Sequence, residues 1–390
     1  MDAAWEESKF VDFGNDLLLP FKRVATAKIH GQSADDLRKS VRSAVPRCPG
    51  VYGMLDVLGR LIYVGKSKCL RSRLLSYFLP HNEDDKAGRI VQSAVSIVWE
   101  SQPSEFAALL REQFLIRHWQ PRFNVQGLPK RQRPIFVCLG RAPVEQLFTS
   151  RQPEPKALVC VGPFQGASRA AQAVDVLNRF FKLRDCSSKL RFGFSDQLQL
   201  FDIERRPGCI RYEIQTCLGP CIEGCSRTAY ESQIREARRF LEGSDARCVD
   251  ILEEQMLAAV KRQHFEQAAR LREDWRAVAW LSRRVADLAV ARHEFTFVYP
   301  VDGVEGKNIW YLIRRGAIEG SITAPRTPLQ RQRAQRMIVG WLAAENTVGS
   351  RFSERPETLA LVTSWFRNHR AELKRTLQPD SIATDAFVEV

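Results

Sequence analysis

Between residues 50 and 140 the spacing of apolar side chains changes repeatedly, which predicts a small unit of strands and helices. Apolar and polar residues alternate in VYGMLD and LIYVG, and Gly59 lies between these segments, so they predict a β-hairpin. Helical spacing follows in CLRSRLLSYFL and AGRIVQSAV, and SIVWES is typical of another strand. A longer helix is predicted over SEFAALLREQFLIRHW, with Ser104 suited to its N-cap and Pro121 just beyond its end. The unit is therefore expected to contain an antiparallel sheet.

The patterns after this unit are mainly helical. ALVCVGPF and SRAAQAVDVLNRFFKLRDC predict a strand, a Gly-Pro turn and a helix, and a loop-rich segment then extends to about residue 226. A helix at TAYESQIREARRFLEG precedes VDILEEQMLAAVKRQHFEQAARLREDWRAVAWLSRRV, which predicts two amphipathic helices folded on each other. The apolar positions that support this pair are Leu252, Met256, Ala259, Phe265, Ala268, Ala269, Leu271 and Trp275.

The two ends of the chain carry weaker patterns. One short helix is predicted in SADDLRKSVRSAV, before Pro46, and after residue 294 a hairpin of EFTFVYPV with NIWYLIRRGAIEGSI precedes two Arg-rich helical stretches. The fold class is therefore α/β and multidomain, with an α+β C-terminal region. The predicted divisions are an extension at 1–45, the small α/β unit at 46–142, a linker helix and Cys-rich segment at 155–228, a helical region at 229–285, and a C-terminal region at 286–390.

Composition adds a partner class and a compartment. The 390 residues include 59 Lys plus Arg against 45 Asp plus Glu, and the net charge of +14 indicates an acidic partner such as nucleic acid or an anionic membrane surface. The start MDAAWEESKF does not resemble a secretory signal, and no apolar run is long enough to span a bilayer. We therefore expect a cytoplasmic protein without a membrane partner. In a reducing compartment, clustered members of the ten cysteines are more typical of metal ligands than of disulfides.

The predicted hairpin and the helix after it carry residues suited to phosphodiester chemistry. The charge on the phosphate grows in the transition state of hydrolysis, so a catalyst needs cations or hydrogen-bond donors, an activated water and usually a divalent metal on a carboxylate. Tyr52 and Tyr63 lie on adjacent strands beside glycines, and Lys66 and Arg73 follow, with Tyr77 one helical turn later. Taken singly, such tyrosines are common packing residues and the basic run is more often a solvated helix face.

Glu112 is the best candidate for the carboxylate. Its neighbours at one helical turn include Ala108, Leu115 and Ile116, so this side chain is not predicted on a freely solvated face. A carboxylate in that environment needs a metal ion or a basic partner. Alone, Glu112 would more often be an ordinary helix residue.

In combination these motifs resemble a known family. GVY, then YVG at hairpin distance, then KSKCLRSRLLSYF, Glu112 and PRFN at 121–124 are similar to the GIY-YIG nuclease domain of the UvrC family of nucleotide excision repair. The resemblance continues through GPFQGASRAAQAVDVLNRFFKLRDC, the cysteine segment and the helical pair, so it spans roughly residues 46 to 285. It implies a metal-dependent DNA endonuclease.

The resemblance assigns roles to the residues of the hairpin and the next helix. Tyr52 and Tyr63 match the two signature tyrosines of the family. Lys66, Arg73 and Tyr77 match the basic and aromatic residues near the scissile phosphate. A tyrosine hydroxyl would help to activate the water, and either signature tyrosine can be the base, since the ordinary tyrosine pKa is near 10 and only a lowered value makes that role easy.

The resemblance also assigns the metal ligand. Glu112 matches the single protein ligand of Mg²⁺ or Mn²⁺, and Asn124 matches the asparagine that closes the site. The segment after Asn124, VQGLPKRQRPIF, departs from the acidic-lysine-aromatic-proline segment usual in the family. Basic residues expected to contact the DNA backbone are Lys68, Arg71, Lys130, Arg131 and Arg133.

A set of cysteines forms a second candidate site. Thiolates at Cys186, Cys209, Cys217 and Cys221 in a reducing cell favour a soft metal, either zinc or an iron–sulfur cluster. Their spacing lacks the paired C-x-x-C knuckles usual in structural zinc sites. The resemblance to the UvrC family implies a 4Fe–4S cluster, with zinc as the main alternative, Cys225 as a competing ligand, and free buried thiols as a further interpretation. The remaining cysteines are interpreted as packing residues.

The helical pair predicts a protein partner. EEQMLAAVKRQHFEQAARLRED resembles the UVR motif, through which members of this family bind the damage-loading subunit UvrB. A two-helix hairpin has too little core to bury both apolar stripes, so packing on another hairpin is expected. The alternative is an intramolecular pair that docks on the C-terminal region.

The C-terminal region does not resemble the rest of the family. Neither an RNase H-like nuclease domain nor helix-hairpin-helix elements are evident after residue 285, so one active site and one cut per lesion are expected, as in short homologues. The Arg-rich helices, with Trp341 and Trp365, fit either DNA binding or a core with a solvated basic face.

The predicted function is a single incision, on the 3′ side of a lesion in damaged duplex DNA, with delivery by UvrB. Two other functions remain open. One is a module that binds DNA or UvrB without cutting, and the other is a nuclease of similar fold that acts on junctions or mobile DNA. The intact Tyr52, Tyr63, Arg73, Glu112 and Asn124 oppose the first, and the cysteine set and the UVR-like hairpin oppose the second.

Overall fold

The computed structural model of the chain describes residues 9–21, 25–79, 86–125, 135–140, 143–164, 166–186, 190, 192–196, 208–343 and 356–383. Within these residues the strands form three antiparallel sheets, and helices cover each of them. This confirms the α/β fold class, the antiparallel sheet of the first unit and the α+β C-terminal region. No helix in the described part of the chain is long and apolar enough to cross a membrane.

The first sheet contains the predicted hairpin. Its strands are β1 Ala27–His30, β2 Gly50–Leu55, β3 Leu61–Ser67 and β4 Ser96–Ser101, in the order β1-β4-β2-β3. Its helices are α1 Ala34–Ala44, α2 Leu70–Ser76, α3 Lys86–Ser93, α4 Glu105–Trp119 and α5 Arg122–Val125. Because β1 pairs with β4, the segment predicted as an N-terminal extension supplies an edge strand of this sheet.

Helix α4 covers one face of the first sheet. As predicted, Ser104 caps it, since the Ser104 side chain accepts a hydrogen bond from the amide of Ala107. Val51 and Val64 pack against Ala108 and Leu115 of α4, while Tyr52, Met54 and Ile97 pack with α1 and α2 on the other face. Successive residues of these strands therefore point alternately to two faces of the sheet, and both faces are buried.

A buried charged network ties residues 13–16 to this unit. Arg111 of α4, only 2% exposed, donates to the backbone carbonyls of Phe13, Gly14 and Asn15 at 2.7–3.0 Å and to Glu100 at 3.1 Å. Asp16 adds a second carboxylate, 3.8 Å from the Arg111 Nε. A buried guanidinium is stable only when such acceptors surround it. Helix α4 is thus the anchor of the N-terminal segment.

The second sheet follows. Its strands are β5 Ile135–Gly140, β6 Gln146–Ser150 and β7 Val159–Phe164, in the order β6-β5-β7, and only β7 was predicted. Its helices are α6 Ala167–Phe180, α7 Ile210–Glu213, α8 Arg227–Leu241, α9 Arg247–Lys261 and α10 Phe265–Glu294. The edge strand β6 is held by Asn178 of α6, whose side-chain amide accepts from the Leu147 N–H at 3.1 Å and donates to the Leu147 carbonyl at 2.9 Å.

Helices α9 and α10 form the predicted antiparallel pair. Leu252, Ala259 and Ala268 are buried, and residues 277–291 of α10 continue into the core of the second sheet. The prediction that Phe265 and Ala269 pack between the helices is wrong, because both side chains are exposed, Phe265 to 67% at the turn of the pair.

The third sheet forms the C-terminal region. Its strands are β8 Phe297–Val301, β9 Ile309–Arg314 and β10 Ala317–Thr323, in the order β10-β9-β8. Its helices are α11 Pro328–Ala343, α12 Pro356–Asn368, α13 Arg370–Leu373 and α14 Pro379–Ala383. The sequence predicted one hairpin here, whereas the structure has two, because Arg315 and Gly316 both adopt positive φ and reverse the chain between β9 and β10.

Aromatic packing joins the third sheet to the first unit. The ring of Phe106, in the first turn of α4, lies 5.1–5.2 Å from the rings of Tyr299, Tyr311 and Trp365. Trp365 is buried and donates to the hydroxyl of Tyr299 at 3.1 Å, which confirms the core interpretation for this residue. Helix α4 therefore contacts the first sheet and the C-terminal region at once.

Candidate active site

Three tyrosines meet on the face of the first sheet opposite α4. In the register of β2 and β3, Tyr52 faces Gly65 and Met54 faces Tyr63, so the two tyrosines are diagonal neighbours on one face. Tyr77, directly after α2, completes a triangle of rings whose centroids are 6.0–6.2 Å apart. A Cβ at Gly65 would lie 2.6 Å from the Tyr52 hydroxyl, so only glycine leaves room for this tyrosine.

Arg73 links the tyrosine hydroxyls. Its Nε donates to the Tyr52 hydroxyl at 3.2 Å, and the Tyr52 and Tyr77 hydroxyls are 3.0 Å apart. The guanidinium also lies over the Tyr77 ring, 5.0 Å from its centroid. The exposed guanidinium therefore has a fixed direction and still has N–H donors free for an anion.

Burial keeps the three hydroxyls protonated. It raises the pKa of Tyr52, Tyr63 and Tyr77 well above the ordinary tyrosine value, and Arg73 offsets only part of this rise. At neutral pH these groups are hydrogen-bond donors and acceptors rather than phenolates. Among them Tyr52 accepts the shorter hydrogen bond from Arg73, at 3.2 Å, and Tyr77 accepts one at 3.5 Å.

Glu112 lies at the edge of the same sheet. Its Oε1 accepts a hydrogen bond from the backbone N–H of Lys66 at 2.9 Å, and within the described residues its other oxygen has no hydrogen-bond partner. Burial raises the pKa of Glu112, and the Lys66 hydrogen bond with the charges of Lys66 and Arg73 offsets part of the rise. The half-buried side chain confirms the prediction that Glu112 is not on a freely solvated face.

The basic residues after β3 share a carboxylate that the sequence analysis missed. The Nζ atoms of Lys66 and Lys68 each lie 2.9 Å from one oxygen of Glu105. Burial raises the pKa of Glu105, but the hydrogen bonds from Lys68 and Lys66 outweigh it and hold that pKa below its usual value. Glu105 follows the Ser104 cap, and an acidic residue in the first turn of a helix is expected from the helix dipole alone. Its place in the sequence therefore gave no reason to assign it to the site.

A second missed residue lies on the other side of the tyrosines. The Nζ of Lys86, in the first turn of α3, is 5.7 Å from the centroid of the Tyr63 ring. Burial and the nearby Arg89 lower the pKa of this ammonium. No motif marks Lys86 in the sequence, since it is separated from Tyr63 by more than twenty residues.

Asn124 contacts the backbone of β3 rather than the tyrosines. Its side-chain amide accepts from the Val64 N–H and donates to the Val64 carbonyl, both at 2.8 Å. Because β3 is the edge strand, these two backbone groups find in Asn124 the partner that a further strand would supply. The geometry shows a clamp on the strand that carries Tyr63, and the role in closing the site stays a prediction.

Two of the remaining residues predicted to contact DNA have partners within the protein. Lys68 is exposed and points to Glu105, whereas Arg71 donates from Nε to the carbonyl of Val45 at 2.6 Å and so fixes the start of α2. Lys130, Arg131 and Arg133 lie outside the described residues.

The donor set at Glu112 suits a divalent cation held mainly by other ligands. Among the residues that the structure describes, no group of three or more His, Cys, Asp or Glu side chains is arranged to hold a metal ion. Mg²⁺ commonly binds through one or two carboxylates and completes its shell with water and substrate phosphate oxygens. The half-satisfied, desolvated carboxylate of Glu112 fits that mode.

The thiols of the four predicted cysteines lie near one another, but in the described part of the chain neither they nor any other three His, Cys, Asp or Glu side chains are arranged to hold a metal ion. Burial, together with the nearby thiols of Cys186 and Cys209, raises the pKa of Cys217 and Cys221 to about 11. Cys221 also exchanges a side-chain hydrogen bond with Cys209. Cys225 is separate, since burial and Asp196 account for the pKa of about 11 of its thiol.

Comparison with known proteins supplies the family. Residues 48–125 match the model of a UvrC-like GIY-YIG domain, residues 135–240 that of the UvrC/Cho excinuclease middle domain, and residues 251–275 the UvrB/uvrC motif. UvrABC system protein C of Mycobacterium marinum is 30% identical over 324 residues, which is 80% of this chain and 48% of that protein. The same protein of Edwardsiella ictaluri is 33% identical over 285 residues, 72% of this chain and 44% of that protein.

These relatives are longer than the chain, which spans about a third to a half of their length. A solved structure of the GIY-YIG N-terminal endonuclease domain of UvrC from Thermotoga maritima, described as bound to its catalytic divalent cation magnesium, is also similar. It is 36% identical, covers 23% of this chain and 96% of that chain, and has a TM-score of 0.21.

Proposed function

Since this chain belongs to the UvrC family of GIY-YIG proteins, we propose that its first unit is a DNA endonuclease of nucleotide excision repair. It cuts one phosphodiester bond of damaged duplex DNA, on the 3′ side of the lesion. The observation that carries this proposal is the placement of Arg73, the tyrosine hydroxyls and the carboxylate of Glu112 around one edge of one sheet. A phosphate there would meet a cation, hydrogen-bond donors and a metal-binding carboxylate together.

The side chains divide the work of hydrolysis. Arg73 is held by Tyr52 and Tyr77, so its free N–H groups face the phosphate without further ordering. Glu112 is fixed by the Lys66 amide and would hold Mg²⁺ or Mn²⁺. The cation, when bound, supplies charge to the phosphate oxygens. The Tyr52 hydroxyl accepts from Arg73 and, because it is protonated and fully buried, would act by orienting that guanidinium rather than by taking a proton.

Delivery to the lesion is proposed to use the tip of the α9–α10 pair. Leu257, Val260 and Phe265 are large apolar side chains within the matched UvrB/uvrC motif, and all are exposed. One face of residues 277–291 of α10 packs in the core of the second sheet, and the three exposed side chains at the tip are not part of that core. Exposed apolar residues grouped in this way favour a protein interface, and UvrB is the proposed partner.

The cysteines are proposed to hold a 4Fe–4S cluster, with zinc as the alternative. The four thiols are partly or fully buried, those of Cys186 and Cys209 lie close enough to raise the pKa of Cys217 and Cys221, and a bound metal centre would take the set as thiolates. The fully buried Arg184 donates to the carbonyl of Cys186 at 3.0 Å and adds positive charge beside this set. Iron, sulfide and zinc analysis of anaerobically purified protein separates the two metals, and Cys221→Ser should lose the bound metal whereas Cys225→Ser should keep it.

The test of the nuclease is a nicking assay on a duplex with one bulky adduct, end-labelled on each strand in turn, with Mg²⁺ and with or without UvrB. Wild type is expected to make one cut on the 3′ side of the adduct, and Glu112→Gln is expected to make none. Glu231→Gln, which changes an exposed glutamate of α8, is the matched control and should cut like wild type. Undiminished cutting by Glu112→Gln would refute the site, and cutting that ignores damage and UvrB would refute the repair role.

A further inference from the structure

A cleft of about 440 Å³ lies between α4, α10 and α12, where the first unit meets the C-terminal region. Its lining includes Lys66 and Glu105 from the first unit. Arg284 and Asp287 of α10 and Arg367 of α12 form the opposite side. The cleft is therefore built by segments far apart in the sequence, and none of the motifs above identified it.

Cations outnumber carboxylates along this cleft. The Asp287 Oδ2 lies 2.9 Å from Arg367 and 3.8 Å from Arg284, so one carboxylate is shared by two guanidinium groups. Glu105 is shared in the same way by two lysines. Each arginine is only about a third exposed, so water screens their mutual repulsion incompletely.

The excess of positive charge helps to lower the pKa of Arg284. Burial lowers its pKa, and the charges of Arg367 and Arg169 lower it further against the opposing effect of Asp287. An anion that enters the cleft would relieve this repulsion. Guanidinium forks suit phosphate in particular, because they can donate two parallel hydrogen bonds to it.

The cleft is continuous with the candidate active site through one residue. Lys66 lines the cleft with its side chain, while its backbone N–H holds the carboxylate of Glu112. A nucleic-acid strand whose scissile phosphate lies at Glu112 can therefore continue past Lys66 toward α10 and α12. A small anion could use the arginines but would have no reason to extend along this path.

We infer that this cleft binds the sugar–phosphate backbone of the DNA duplex beside the bond that is cut, with Arg284 and Arg367 as the phosphate contacts. The inference rests on the proposed nuclease function and extends it, since it gives α10 and the C-terminal region a direct part in holding the substrate. Asp287 then limits the affinity, because it competes with phosphate for both arginines.

The test is fluorescence anisotropy of a labelled duplex with the 390-residue chain in the Glu112→Gln background, over a range of salt concentrations. Arg284→Gln and Arg367→Gln are each expected to weaken binding about three- to tenfold and to reduce the slope of log affinity against log salt by about 1. Arg336→Gln on α11, an exposed arginine away from the cleft, is the matched control and should bind within about twofold of the background protein.

Asp287→Asn keeps the inference testable if the arginine variants lose stability. It removes the shared carboxylate, so DNA affinity should rise rather than fall. Unchanged affinity in all three cleft variants would overturn the inference. Weaker binding of polyglutamate with unchanged binding of DNA would also overturn it, in favour of an acidic protein partner.

Binding and cutting separate the two proposals. If wild type never cuts but the cleft variants lose DNA affinity, the nuclease function fails and the cleft stands. If wild type cuts and the cleft variants bind and cut equally well, the cleft fails and the nuclease function stands. In an active background the arginine variants should raise KM and leave kcat nearly unchanged, since they act on binding away from the reacting atoms.

Discussion

Replacing Asn124 by alanine tests whether this residue acts by holding the edge strand. The substitution removes two hydrogen bonds of 2.8 Å to the N–H and carbonyl of Val64, a residue that is fully buried. Each bond contributes about 1 kcal/mol net, and a buried backbone group left without a partner costs about 1–3 kcal/mol. We therefore expect local opening of β3 to become easier by about 2–3 kcal/mol.

Hydrogen exchange followed by mass spectrometry measures this opening peptide by peptide. A change of about 2 kcal/mol corresponds to roughly 30-fold faster exchange in peptides that contain Val64. Nicking should fall as well, because β3 carries Tyr63 and the Lys66 amide that holds Glu112. Mg²⁺ at saturating concentration should not restore it.

The chain contains a matched control for this experiment. Asn178 clamps Leu147 on the edge strand β6 with the same pair of hydrogen bonds, at 3.1 and 2.9 Å. Asn178→Ala should therefore speed exchange in β6 by a similar factor and leave β3 and nicking unchanged. Unaltered exchange of β3 in Asn124→Ala would refute the clamp, and if nicking were still lost, Asn124 would act on the substrate itself.

Three further predictions concern the site and its delivery. Burial raises the pKa of Glu112 in the folded chain, so the ionised carboxylate lowers the free energy of unfolding, and this loss disappears once the pH falls below the ordinary value of 4.5. In EDTA, Glu112→Gln should therefore raise the free energy of unfolding at pH 7–8, and the difference from wild type should vanish toward pH 4. Tyr52→Phe removes the acceptor of the Arg73 Nε, so single-turnover cutting should slow by about 10²-fold with DNA affinity unchanged, and undiminished cutting would argue against Tyr52 as the residue that orients Arg73. Phe265→Asp should abolish capture by immobilised UvrB while unassisted nicking persists, and the exposed Val290→Asp serves as control.

Local sequence signals identified the parts of the site but not all of their partners. The alternation in β2 and β3 placed Tyr52 and Tyr63 on neighbouring strands, and the one-turn neighbours of Glu112 predicted that it is not on a freely solvated face. These features depend on residues close together in the chain. Glu105, by contrast, reaches the site through Lys66, 39 residues earlier, and Lys86 through Tyr63, more than twenty residues earlier. No local sequence pattern indicates such distant pairs.

The missed strands have a similar explanation. IFVCLG in β5 is a continuous apolar run, which periodicity alone cannot separate from a buried helix, and β1 has only four residues. Arg111 carries a charge that is rarely buried without partners, yet carbonyls far from it in sequence make its burial possible. In both cases the tertiary environment decided the outcome, and the sequence carries that information only in pairs of distant residues.

The long-range contacts of residues 13–18 also determine when the chain can complete its fold during synthesis. The carbonyls of Phe13 and Gly14 obtain their partner 97–98 residues later, and the carbonyl of Leu18 accepts from the Ser321 hydroxyl across 303 residues. Domains generally fold as they leave the ribosome, and contacts between distant residues form late. The segment around residues 13–18 must therefore wait on the nascent chain for β10 before its contact with Ser321 can form.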